Sequence, residues 1–178
     1  MHPIKMLPTL EDFGISPPVY IRKINSRSSW KPDPEISDPR KRLEKIAEAS
    51  FDETSSIWLV NSEQDFYSVI ASLSANRTSR HQDIDFIWLT DQELDSVGIQ
   101  KNQVMEGRCL FAQKLHYDIE IKKESAIQLC DLLKQNNRQS LRCKKKQTKS
   151  ILIHQEKIGC KALNDNQELC QCQLEGFV

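Results

Sequence analysis

Alternation of extended apolar runs with helical periodicity, between residues 57 and 133, constrains this chain more than any other feature. Apolar runs begin at Ile57 and at Ile84. The apolar residues at helical spacing after the first run are Phe66, Val69, Ile70 and Leu73. Such alternation is typical of helices packed on a sheet. The sequence therefore predicts an α/β fold, with a small mixed sheet of three to five strands covered by helices.

Length and composition limit the class of protein. The 178 residues fit one domain, and 38% hydrophobic with 28% charged residues is ordinary for a globular protein. No apolar run approaches the roughly 18 residues that a membrane-spanning helix needs. The first residues also lack the apolar stretch of a secretion signal. We therefore expect a cytoplasmic protein without a membrane partner, and its oligomeric state stays open.

Proline placement divides the chain. Six of the seven prolines lie before residue 35, and each removes a backbone donor and restricts its neighbour. We expect an irregular N-terminal arm over residues 1–37, a single α/β domain over 38–163 and a loose tail over 164–178. Within the arm, residues 19–24 predict a short strand at a sheet edge. Trp30 is expected to dock on the core.

Local signals place further elements. Asp38 before Pro39 predicts a helix start, and Thr90 with Glu93 forms a capping box for another helix. Residues 101–107 look like a connection. Residues 108–113 and 116–121 look like one interrupted strand or two. Helices are expected over about 124–135 and 147–158.

Charge is unevenly spread along a chain whose formal net charge is zero. Residues 61–99 carry two basic and seven acidic groups, a net charge of −5, whereas residues 123–160 carry nine basic and three acidic groups, a net charge of +6. The candidate binding residues in the second segment are Arg138, Arg142, Lys144, Lys145, Lys146 and Lys149. Such charge density favours a polyanionic partner, either nucleic acid or an acidic protein. The alternative is that the two segments neutralise each other inside the fold.

The lysines at 144–146 also precede a predicted helix start. A helix N-terminus disfavours cations and favours anions, because of its dipole and its unpaired N–H groups. The combination predicts an anion site there.

A nuclease is the alternative function. Asp118, Glu120 and Lys122 alternate along a predicted strand, so their side chains are expected on one face. Carboxylates of this kind hold Mg²⁺ in metal-dependent nucleases, and a lysine stabilises charge. A further carboxylate would come from Asp83 or Asp85, on what we expect to be the neighbouring strand.

Cysteines give a weaker metal hypothesis. All six lie in the second half of the chain. In a cytoplasmic protein they are expected to stay reduced. Cys160, Cys170 and Cys172, with Cys143 or His154, are candidate zinc ligands, although no Cys-x-x-Cys pair is present. Cys109 and Cys130 are expected in the core.

Glycine placement excludes nucleotide-binding loops. The five glycines are not clustered, which rules out Rossmann and P-loop phosphate cradles. No Gly-x-Ser-x-Gly elbow is present either. The sequence thus favours a binding or accessory protein that needs no cofactor, and leaves open whether it is an enzyme.

Overall fold

A strand from the N-terminal region lies at the centre of the sheet. The computed structural model describes residues 7–75, 82–106 and 110–158. Strand β1 (Val19–Lys23) pairs with β2 (Thr54–Val60) on one side and with β3 (Ile84–Leu89) on the other. The predicted strand is therefore confirmed, but its predicted place at an edge is wrong. Because β1 is central, the irregular N-terminal arm is not confirmed.

Three more strands complete the sheet. Strand β5 (His116–Glu120) pairs with β2, β4 (Lys101–Gln103) pairs with β5, and β6 (Leu141–Cys143) pairs with β3. The order is β4-β5-β2-β1-β3-β6, and every pairing is antiparallel. The α/β class is confirmed. The sheet has six strands rather than three to five, and it is antiparallel rather than mixed.

Two helical crossovers organise the chain around this sheet. Strands β2 and β3 are both antiparallel to β1, so they run parallel to each other and need a long connection, which α2 (Glu63–Ala75) supplies. Strands β5 and β6 also run parallel, and α5 (Lys123–Gln135) connects them. The two crossover helices cover opposite faces of the sheet.

Local capping explains where two of the remaining helices begin. Helix α1 (Pro39–Ser50) begins where the Asp38 carboxylate accepts from the N–H of Arg40, and α3 (Asp91–Ser96) begins at the complete capping box of Thr90 and Glu93. Both starts were predicted. Two other segments differ from prediction, because 101–103 form β4 and the expected strand at 108–113 contains helix α4 (Leu110–Gln113).

Two apolar layers stabilise the fold. On one face, α1 and α5 pack on the sheet through residues such as Ile46, Leu129 and Leu133. On the other face, α2 and α6 (Lys145–Lys157) pack through residues such as Phe66, Ile70 and Ile151. Strand β3 lies between the layers, which explains its nearly continuous apolar sequence.

Membrane-spanning helices are not found in residues 7–75, 82–106 and 110–158, where every helix is too short or too polar to cross a bilayer.

Two cysteines in the described residues lie in different layers. Cys130 belongs to the α1/α5 layer and Cys143 to the α2/α6 layer, and both are fully buried. Burial raises the pKa of the Cys130 thiol to about 12 and that of the Cys143 thiol to about 11. Because the thiolate is the reactive form, both side chains should be inert in the folded protein.

Iodoacetamide labelling at mildly alkaline pH, mapped by mass spectrometry, tests this assignment. We expect no modification of Cys130 or Cys143 in the native protein and complete modification of both in urea, which is the control. Rapid native labelling of either residue would contradict its burial.

Candidate polyanion-binding site

Helix α6 carries three of the six predicted basic residues and has a fourth, Lys144, as its N-cap, and polar contacts fix the helix to α2. The amide of Gln155, which is fully buried, donates to Ser68 Oγ at 3.0 Å and accepts from Gln64 at 2.7 Å. At the other end of α6, Thr148 Oγ1 donates to Cys143 Sγ at 3.4 Å. The helix is therefore held in one position, and its outward-facing side chains form a defined surface.

Four lysines occupy the solvent side of the α6 start. We call Lys144, Lys145, Lys146 and Lys149 the lysine patch. All four side chains are exposed, and none forms an ion pair or a side-chain hydrogen bond in the part of the chain that the structure describes. None of these four side chains is therefore paired with a carboxylate among the described residues.

A carboxylate already fills the N-terminus of α6. Asp83 Oδ1 accepts from the backbone N–H of Lys145 at 2.7 Å, and its Oδ2 lies 3.1 Å from Arg142 Nη1. An anion at a helix N-terminus is stabilised by the dipole and by the free N–H groups. Since Asp83 occupies this position, the predicted anion site at the helix end is taken by the protein itself.

Arg142 serves the fold rather than the patch. Its guanidinium donates to both carboxylate oxygens of Asp85, at 2.7 and 2.8 Å. Burial acts to raise the pKa of Asp85, but the hydrogen bonds from Arg142 and from the backbone N–H of Arg27 outweigh it and hold that pKa below its usual value. The pair joins β6 to β3, where the two residues are register partners.

Arg138 is more deeply buried than Arg142, and its guanidinium is enclosed by other side chains. It is 7% exposed, and its Nη2 donates to Glu93 Oε1 at 2.5 Å. Its guanidinium carbon lies 3.1 Å from the centre of the Trp88 ring. Asn136 donates to the same Glu93 oxygen. A side chain enclosed in this way supports the core and is not accessible to a partner.

The structure thus divides the six residues that the sequence nominated. Arg138 and Arg142 neutralise Glu93, Asp83 and Asp85 of the acidic segment, so part of the charge asymmetry is internal. The lysine patch is not neutralised. The sequence predicted a single basic cluster, whereas the fold separates it into a structural part and an exposed part.

The structure keeps the further carboxylate of the nuclease hypothesis away from Asp118 and Glu120. Strands β1 and β2 separate β3 from β5. Asp85 on β3 and Asp83 just before it are therefore not next to the strand of Asp118, and the predicted adjacency is wrong. Three strand spacings correspond to about 14 Å across the sheet. Asp118 accepts from Ser56 Oγ at 3.0 Å and lies 3.3 Å from His116 Nε2. Lys122 is outside the strand, at the N-cap of α5.

Sequence reasoning missed an open groove between the end of α1 and the start of α5. Its volume is about 660 Å³, its floor includes Phe51 and Ile121, and Glu120 and Lys122 lie on its rim. An ion pair between Glu48 and Lys123, at 3.0 Å, lies along one side. The residues come from two segments far apart in sequence, 47–54 and 120–126, so no local pattern marks them.

Metal ligands do not converge in the described residues, where no three His, Cys, Asp or Glu side chains could hold one ion together. Of the zinc candidates, Cys143 is buried against Thr148, and His154 lies 3.2 Å from Gln64 Oε1. Cys109, Cys160, Cys170 and Cys172 lie outside the described residues. The zinc hypothesis gains nothing from the described part of the fold.

Comparison with known proteins gives no relative: no family model, curated protein or solved structure matches this chain. The lysine patch and the fold that presents it are therefore the basis for assigning a function.

Proposed function

We propose that this protein is a binding or accessory protein that holds a polyanionic partner, nucleic acid or an acidic protein, on the lysine patch. One observation carries the proposal. Lys144, Lys145, Lys146 and Lys149 are exposed and unpaired, although carboxylates elsewhere in the fold neutralise the neighbouring arginines. A cluster that serves only the fold would be expected to have partners of its own.

The anchoring of α6 supports a surface of fixed shape. Its inner side is held on α2 through Ile151 and Gln155, so the lysines lose little backbone freedom when a partner binds. Contact with a polyanion through such point charges is independent of sequence and weakens steeply with salt.

Charge removal is the direct test. We expect the variant Lys144→Gln, Lys145→Gln, Lys146→Gln and Lys149→Gln to bind a labelled DNA duplex more than tenfold more weakly at low salt. The slope of log K against log salt should shrink by about 3–4, because each lysine accounts for roughly one released counterion. Fluorescence anisotropy measures both quantities, and the melting temperature should stay unchanged because the four side chains are exposed.

A matched control removes the same charge elsewhere. Lys31, Lys41, Lys114 and Lys122 are also exposed and form no ion pair in the described residues. Changing these four to Gln should leave duplex binding close to that of the unmodified protein. Equal losses in the two variants would mean that only net charge matters, and the patch would lose its role.

A further inference from the structure

The outer face of α6 continues beyond the lysine patch and changes character. Lys146, Lys149, Ile153 and Lys157 follow one another at spacings of three, four and four residues. At 3.6 residues per turn they lie within about 80° of the helix circumference. All four are exposed, and Ile153 is 45% exposed. A large apolar side chain therefore stands in the middle of a basic stripe.

Position 153 has no role in the core. The buried residues of α6 are Thr148, Ile151, Leu152 and Gln155, and Ile153 is not among them. A polar residue at 153 would leave those contacts unchanged. The exposed isoleucine gains free energy only when a partner covers it with apolar surface.

Nucleic acid is a poor match for this stripe. The phosphates and sugars that dominate nonspecific contacts offer no apolar surface for Ile153. Arginine and aromatic side chains supply phosphate forks and base stacking. Here Arg138 and Arg142 are engaged with carboxylates, and Trp30 is buried.

Resting on the function proposed above, we propose that the partner is an acidic amphipathic segment of another protein, which packs an apolar residue on Ile153 and sets carboxylates against Lys146, Lys149 and Lys157. Glu156 lies on the flank of the stripe, where its negative charge would repel the partner's carboxylates and so limits how far the partner's acidic surface extends. One helix face is a small contact area, so the complex should be weak and reversible.

Three probes separate this inference from the proposed function. The first is a synthetic peptide with leucines on one helical face and glutamates on the others, and the second has the same composition in shuffled order. The third is a DNA duplex. We expect the ordered peptide to bind most tightly. Ile153→Ser should weaken binding of the ordered peptide roughly tenfold and leave binding of the other two probes unchanged.

Controls keep the result interpretable. Met105, which is 60% exposed and lies outside α6, provides Met105→Ser as a matched loss of exposed apolar surface. Ile153→Ala repeats the test with a good helix former, should Ile153→Ser lower the melting temperature. Vesicles of anionic lipid serve as a further probe.

Each outcome decides between the two ideas. If both Ile153 variants bound the ordered peptide as tightly as the unmodified protein, the proposal of an acidic amphipathic partner would be overturned. The proposed function would still stand if the fourfold lysine variant lost binding to the duplex. Tighter binding of duplex or vesicles than of the ordered peptide would also overturn it. Failure of every probe to bind at low salt would remove both proposals.

Discussion

Replacing Glu93 with alanine should lower the free energy of unfolding by about 3–5 kcal/mol, since it would leave a buried guanidinium without a carboxylate. Arg138 is 7% exposed, and its Nε and Nη1 atoms already have no hydrogen-bond partner in the described structure. Glu93 also accepts from the backbone N–H of Thr90, so its loss would remove part of the α3 cap. Urea denaturation followed by circular dichroism measures the effect.

Two further variants show whether the charge is responsible. Glu124 forms an ion pair with Arg40 at 2.7 Å on the surface, where both side chains are more than half exposed. Glu124→Ala should therefore cost far less than Glu93→Ala. The double variant Glu93→Gln with Arg138→Met should recover part of the lost stability, because it leaves no buried unpaired charge. A Glu93→Ala protein as stable as Glu124→Ala would refute the buried pair.

Trp30→Ala should cost a similar amount, about 3–5 kcal/mol, because it removes a large side chain that is 1% exposed. The indole N–H donates to the Arg138 carbonyl at 2.9 Å, and Lys134 Nζ lies 4.2 Å from the centre of the Trp30 ring. The residue thus joins the N-terminal region to the end of α5 and the segment before β6. Equilibrium unfolding in urea gives the free energy.

Trp30→Phe is the matched control. It keeps most of the ring volume and loses the hydrogen bond to the carbonyl, so its cost should be clearly smaller than that of Trp30→Ala. If Trp30→Ala unfolded at the same urea concentration as the unmodified protein, the N-terminal region would not be part of the core.

Elements with local signals were predictable from the sequence. Asp38 with Pro39 and Thr90 with Glu93 mark helix starts within a few residues, and the structure has helices at both places. The apolar periodicity after residue 123 predicted α5 to within one residue at its start. Docking of Trp30 on the core was also predicted correctly. Such features need no knowledge of distant partners.

Elements that depend on distant pairing were missed. The sequence of β4, Lys101–Gln103, is polar throughout, and only its register with β5 makes it a strand. Strand β6 is hidden in the basic run because it is three residues long and one of them is Arg142. The sequence predicted a strand over 19–24, but it did not show that β2 and β3 flank β1 on both sides.

The candidate site was visible in the sequence as a run of charge, but the contacts of its residues were not. The lysines were visible as a dense basic run, whereas the carboxylates that neutralise the arginines lie far away in sequence. Arg138 and Glu93 are 45 positions apart, and Arg142 and Asp85 are 57 apart. Only the fold shows which cations are engaged. The groove near Phe51 was missed for the same reason.

Nuclear magnetic resonance mapping tests the central claim most directly. Amide resonances of the ¹⁵N-labelled protein would be recorded while a short DNA duplex is added at low salt. If the lysine patch is the binding site, we expect the largest chemical-shift changes at Lys144, Lys145, Lys146 and Lys149. Added salt should reverse these changes. Shift changes centred on another surface would contradict the assignment of the lysine patch as the binding site, and so would the absence of shift changes with both the duplex and the ordered acidic peptide.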